Sequence, residues 1–329
     1  FHLPGRSPVL ASNCMCATSH PLATKTALDI LQAGGNAMDA AVAGAELLGL
    51  CEPAMTGIGG DCFVLWSDAD RQKVRALNGS GRAPAGLDAA MLRAQGEETV
   101  PVFNAHAVTI PTAISAFAHL AETVGKLGLD RLLAPAIHYA DAGIPVPPRV
   151  AFDWANYAHN LQGSAREKFL NGGKPFKTGD IFYAPGQAEV LRRVAKDGPD
   201  AFYIGEVAED MVNTLRAAGG MHTLDDFANA SCDETSPISG FYKDIEVVEH
   251  PPNGQGATAL LMLNILSHFD LAAMEPFGTL RAHIEAEAAK LAYDARNRFL
   301  SDPDYMTRLD HMLDPKLAHD LAALIDPSK

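Results

Sequence analysis

Hydrophobic and polar positions alternate with two different periods along this chain. In "SHPLATKTALDILQAGGNAMDAAVAGAELLGL" the apolar Ala27, Leu28, Ile30 and Leu31 recur at helical spacing. Gly34-Gly35 stops that helix by permitting a left-handed C-cap, and Asn36 caps a second helix. The Ala and Gly run at 40–45 in the second helix predicts close burial, typically against a sheet. Period two takes over in "CFVLWSD" and "KVRALNG", which predict a hairpin turned at "ADRQ". A short strand is also expected at "SPVLAS", residues 7–12.

From about 111 to 230 the helical period returns, in "AISAFAHLAETVGKL", "LDRLLAPAIHYADAG", "EVLRRVAKDG" and "EVAEDMVNTLRAAGG". Their Gly-terminated ends read as repeated helix stops. "SPISGFYKD" and "IEVVEHP" predict a second pair of strands, followed by long helices at about 255–269 and 278–300. Strands, then helices, then strands without regular βαβ alternation predict a layered α+β fold and not a doubly wound one.

Composition narrows the function classes. With 329 residues, 47% of them hydrophobic, the chain can bury one large core or two moderate ones. A formal charge of −14 argues against nucleic-acid and anionic-membrane partners, which need a cationic footprint. No apolar run approaches the roughly 18–20 residues that cross a bilayer, and "FHLPGRSPVLAS" has no signal-peptide pattern. Five cysteines, at 14, 16, 51, 62 and 232, cannot all pair internally. Mostly buried, reduced thiols are expected, which favours a cytoplasmic over a periplasmic setting.

The candidate chemistry is sparse. "TGIGGD", residues 56–61, has the order helix, loop, strand, which is the reverse of a dinucleotide fingerprint, and no P-loop lysine follows. Its glycines allow positive φ and close packing. "NGSGR", residues 78–82, follows a strand but lacks P-loop spacing, and no G-x-S-x-G elbow surrounds Ser80. This loop reads either as a surface turn or as a carboxylate clamp, since the Arg82 guanidinium can bond both carboxylate oxygens. The twelve histidines include no H-E-x-x-H, and no metal or organic cofactor is expected. Glu285, Lys290, Asp294, Arg296 and Arg298 fit salt bridges along one helix. No complete catalytic set emerges.

The segments "GGNAMDAAVA", "GIGGD" and "PPNGQGA", in this order, resemble the gamma-glutamyltranspeptidase family of N-terminal-nucleophile hydrolases, specifically its large subunit. "VTIPTAISAF", "LLAPAIHYADAGIPV", "GGMHTLDDF" and "EAAKLAYDARNRFLSDPDY" extend the likeness over nearly the whole chain. The resemblance implies a four-layer αββα fold, in which 1–329 form one domain completed by a small subunit. It implies a precursor that cuts itself before a threonine, and an amide-cleaving acyl-enzyme on that new N-terminal Thr. The catalytic nucleophile would then lie on the partner subunit and not in this chain, whose C-terminus would be a cut end. Partners implied are the small subunit, in a heterodimer or a dimer of heterodimers, and a small-molecule amide. The family also holds its substrate carboxylate with an arginine in an Arg-x-x-Ala-Pro arrangement. Counting back from Ala83-Pro84, that position is Ser80, and Arg82 stands two residues on. A two-residue shift preserves side-chain parity if the segment stays extended, so Arg82 and Ser80 are the candidate substrate contacts. Non-γ-glutamyl acyl donors, a catalytically silent scaffold and an anion-binding module are the alternatives.

Overall fold

The computed structural model describes residues 7–67, 70 and 73–328. The chain divides into two compact units, one of residues 9–62 and 79–232, the other of 63–78 and 233–328 with residues 7 and 8.

The first unit is dominated by helices. Helix α1, Pro21–Gln32, begins on a His20 cap and ends where Gly34 takes φ +98°. Helix α2, Ala37–Cys51, starts in a full capping box, with Asn36 and Asp39 satisfying each other's backbone N–H groups. The small residues of α2 do bring another element close, and within this unit that element is helical: α2 packs mainly on α1, on α3 (Ala113–Thr123) and on α4 (Leu129–Ala142). Helix α5, Pro185–Asp197, packs on α4, and α6 follows at Glu206–Ala217. Leu47, Leu50, Leu133, Leu191, Phe202 and Phe227 lie in the core between these helices.

The buried Asp39 carboxylate also binds the loop after α3. It accepts the amide of Lys126 at 3.0 Å and that of Leu127 at 3.2 Å. A buried carboxylate supplied with several amide donors is compensated for its lost hydration.

The second unit holds a three-stranded sheet in the order β1-β2-β5, with β1 at Cys62–Ser67, β2 at Val74–Gly79 and β5 at Asp233–Thr235. β2 pairs antiparallel with β5, Leu77 opposite Glu234. β1 and β2 are neighbours as the alternation predicts; their turn "ADRQ" lies outside the described residues except for Asp70. A short pair, β3 (Ile144–Pro145) and β4 (Ile181–Phe182), belongs to the helical unit. The expected second hairpin is present as β6, Ile238–Tyr242, and β7, Ile245–Glu249. Against it packs α8, Gly256–Leu266, which also contacts α9, Thr279–Phe299. Leu261, Ile265, Ile284, Ala288 and Met312 form the core of this unit.

Three sequence expectations change here. Residues 7–12 form no strand; they are exposed and have no ladder partner among the described residues to satisfy their amides. Cys14 is exposed, Cys16, Cys62 and Cys232 are half-buried, and only Cys51 is buried, so the thiols are not mostly interior. On α9, Arg298 pairs with Asp294 and Lys290 with Glu287, but Arg296 lies over the Tyr293 ring, 4.4 Å from its centroid. No described helix is long and apolar enough to cross a membrane.

Candidate substrate pocket

The loop that carries Arg82 is built by contacts on both sides. On the β2 side, Asn78 donates to Asn253 Oδ1 at 2.9 Å, which joins the "NGSGRAP" and "PPNGQGA" stretches. The His250 ring lies with Nε2 3.0 Å from the Leu77 carbonyl, next to that link. β2 ends at Gly79, and two residues on Gly81 adopts φ +70°. A Cβ on Gly81 would stand 1.9 Å from the carbonyl oxygen of Ile110, so the tight turn demands glycine. The Ile110 amide then donates to the Arg82 carbonyl at 2.9 Å. Because Gly81 is left-handed, the segment is not extended, and strand parity has no bearing on where Arg82 points. The turn sets its direction instead.

Beyond Arg82 the chain is held by a second tether. The Ala85 amide donates to Asp226 Oδ1 at 2.9 Å. Asp226 stands in the first turn of α7, Leu224–Ala228, where the Thr223 amide and hydroxyl each donate to Oδ2 at 2.8 Å. Burial pushes the Asp226 pKa upward. The hydrogen bonds from Ala85 and Thr223 outweigh that push and hold the carboxyl below its usual value.

Between the loop and α7 lies a cavity of about 440 Å³, lined by Arg82, Ala85, Thr112, Asp225, Asp226 and Asn229 among others. Arg82 is exposed and brings positive charge to a wall that also carries two carboxylates. Thr112, the residue before α3, is only 2% exposed, and its Oγ1 has no hydrogen-bond partner among the described residues. Ser80 is half-buried and is not among the lining residues, so of the two candidates only Arg82 reaches this cavity. Asp225, Asp226 and Thr112 escape the sequence reading. The pair Thr223-x-x-Asp226 is a legible capping-box signature, but nothing in it announces the reach to Ala85.

The 56–61 loop packs closely on α2. A Cβ on Gly49 of α2 would lie 3.1 Å from Gly57 Cα, so helix and loop backbones nearly touch. None of Gly57, Gly59 and Gly60 adopts positive φ, and a Cβ on Gly57 or Gly59 would meet nothing within 4 Å, so the close approach constrains Gly49 of the helix and not these two loop glycines. Burial pushes the thiols of Cys51 and Cys62 up to about 12, which leaves them protonated and poor nucleophiles. Among the described residues, no group of three or more His, Cys, Asp or Glu is placed to hold a metal ion.

A family model described as Gamma-glutamyltranspeptidase matches residues 23–329. The chain belongs to the gamma-glutamyltranspeptidase family. It is 32% identical over 298 residues to the glutathione hydrolase proenzyme of Bacillus subtilis (strain 168), covering 89% of this chain and 51% of that protein. Among solved structures, the gamma-glutamyltranspeptidase of Helicobacter pylori superposes with a TM-score of 0.91 at 26% identity, covering 98% of this chain and 95% of that one. The cephalosporin acylase of Bacillus halodurans gives 0.87 at 34% identity, with 98% of this chain and 63% of that one covered. The chain therefore spans about half the length of the curated relative. Its α+β fold is that of the N-terminal-nucleophile hydrolases of the gamma-glutamyltranspeptidase family.

In this gamma-glutamyltranspeptidase-family chain the Asp226 tether makes a testable demand. Asp226→Ala removes the acceptor for Ala85 and the helix cap together, and is expected to cost roughly 2 kcal/mol. Because the folded carboxyl titrates low, its support is present above about pH 4 and lost as pH falls through the folded value. Denaturant unfolding of both forms at pH 7 and pH 3 checks this; a difference as large at pH 3 as at pH 7 would refute it.

Proposed function

We propose that this chain is the large-subunit part of a self-processed amidohydrolase or acyltransferase, one domain completed by a small subunit from the same precursor. The small subunit would carry an N-terminal threonine as nucleophile. Its α-amine, with a pKa of about 8, is neutral far more often near physiological pH than a lysine amine, and sits beside the hydroxyl it activates. Attack on an amide carbonyl expels the amine, leaves the acyl group on the threonine, and passes it to water or to an acceptor amine. In that scheme this chain holds the substrate: the Arg82 guanidinium binds a carboxylate of the acyl donor.

The observation that carries this reading is the place of Arg82, held by a required left-handed turn at the edge of a cavity of about 440 Å³. Two further points agree with it. The match covers only 51% of a relative named a proenzyme, and one solved relative is a chain of nearly the same extent. Arg82→Ala is expected to raise KM by roughly tenfold to a hundredfold, from loss of a charge-assisted bond of about 1.5–3 kcal/mol, while self-cleavage persists. Steady-state kinetics of the full-length protein on carboxylate-bearing anilides, with a gel for the cleaved chains, tests it. Unchanged KM would remove Arg82 from the site, and a precursor that never cleaves would leave only a scaffold role.

A second reading has its own support. Ser80 occupies the place where the family's arginine would stand, and a cephalosporin acylase is among the structural relatives. The acyl donor is then not bound to be γ-glutamyl, and the choice rests on the other walls of the Arg82 cavity.

A further inference from the structure

A second cavity, of about 340 Å³, opens beside the 56–61 loop and shares no lining residue with the Arg82 cavity. Its floor is apolar: Ile58, Val190, Val207 and Met211 are half-buried and pack on the core that includes Phe202. Positions 206, 207, 210 and 211 fall on one face of α6, and 189, 190 and 193 on one face of α5, so helical spacing brings both sets to the cavity. The rim is charged and unbalanced. Three carboxylates, Glu189, Glu206 and Asp210, meet one guanidinium, that of Arg193. Arg193 is engaged by the first two, with Nε 3.0 Å from Glu189 and Nη1 2.7 Å from Glu206, and so clips α5 to α6. Asp210 is exposed and has no hydrogen-bond or ion-pair partner among the described residues. Gly59 forms another edge, and a Cβ added there would meet nothing within 4 Å.

We propose that this cavity binds an arylalkylammonium ion, with the ring on the apolar floor and the ammonium group beside Asp210. Three observations converge on that class of ligand. The volume falls within the range of small-molecule pockets, roughly 300–1,000 Å³. The floor favours an apolar body, and the Met211 thioether beside the Phe202 ring suits an aromatic one. The rim carries a net charge of −2, three carboxylates less one guanidinium, which attracts a cation and repels an anion. Asp210 takes the ammonium group without displacing any existing contact. A bare metal ion gains nothing from the floor, and the described residues offer no group of three ligands to hold one. A merely acidic surface would take any cation alike; here the floor selects the body and the rim selects the charge.

Calorimetric titration of the full-length protein with phenethylammonium tests this. The ion is expected to bind saturably, one per chain. It should bind at least about tenfold more tightly than 2-phenylethanol, which lacks the charge, or methylammonium, which lacks the ring. Asp210→Asn, at an exposed position, is expected to weaken binding about tenfold. Gly59→Leu puts a side chain into the open edge with every carboxylate in place, and is expected to abolish binding. Methylammonium bound as tightly as phenethylammonium would reduce the rim to a solvated acidic surface and overturn the proposal. Binding unchanged in either variant would place the ligand elsewhere and overturn it too, as would a wild type that shows no saturable binding. Should Gly59→Leu fail to fold, Asp210→Asn decides alone.

Discussion

Replacing Glu46 by leucine is expected to stabilise the protein, and to do so more strongly the higher the pH. Glu46 lies in the middle of α2, 1% exposed, and neither carboxylate oxygen has a hydrogen-bond partner among the described residues. Burial pushes its pKa from an ordinary 4.5 to about 8. The folded protein therefore keeps a proton that the unfolded chain releases above about pH 4.5. Stability is complete below that value, declines as pH rises between 4.5 and 8, and stays low above. A shift of this size corresponds to roughly 4–5 kcal/mol at pH 8 and beyond. Leucine fills a similar volume with no charge to desolvate, so Glu46→Leu should flatten this pH dependence. Unfolding curves of the two forms at pH 5, 7 and 9 decide it: a gain that does not grow with pH would show that Glu46 is compensated in the folded protein.

The second large effect is expected at Gly81. Alanine there would carry a Cβ at φ +70° and place it 1.9 Å from the Ile110 carbonyl. The left-handed conformation alone costs about 1–2 kcal/mol, and a backbone carbonyl cannot swing aside as a flexible side chain can. The turn must open, which breaks the bond from the Ile110 amide to the Arg82 carbonyl. We expect Gly81→Ala to cost at least about 3 kcal/mol of stability and to weaken carboxylate-bearing substrates at least as much as Arg82→Ala does. Gly96 supplies a control, with φ +88° and nothing within 4 Å of the added carbon. Gly96→Ala pays for handedness only, roughly 1–2 kcal/mol, and leaves KM alone. Equal Tm losses in the two variants, with KM unchanged in both, would refute the part assigned to the turn.

Both predictions concern residues whose identity is plain in the sequence and whose circumstances are not. Glu46 reads as one polar position in an Ala-rich helix; its isolation depends on which helices close over it. Gly81 reads as one of two glycines in a turn, and only the carbonyl arriving from Ile110 makes it irreplaceable. The parity argument for Arg82 fails for the same reason, since parity assumes an extended backbone and the turn is left-handed. In the TGIGGD loop the glycines are legible, but the tight contact lies at Gly49 of α2, where a Cβ would stand 3.1 Å from Gly57 Cα. The strand expected at residues 7–12 had the right composition and no partner to bond.

What the sequence determined by itself is local. The Asn36 and Asp39 capping box, the left-handed stop at Gly34, the alternation of β6 and the period of α9 all depend on residues a few positions apart. The family signature is local in the same sense, being short blocks in a fixed order. Tertiary structure alone decided which distant groups meet: Asn78 with Asn253, Ala85 with Asp226, and Arg82 with Asp225 around one cavity. Each of these pairs is separated by more than 140 residues, and no periodicity encodes them. The buried Glu46 belongs with these, because the cost of its charge is set by the shell that excludes water and not by the helix that carries it.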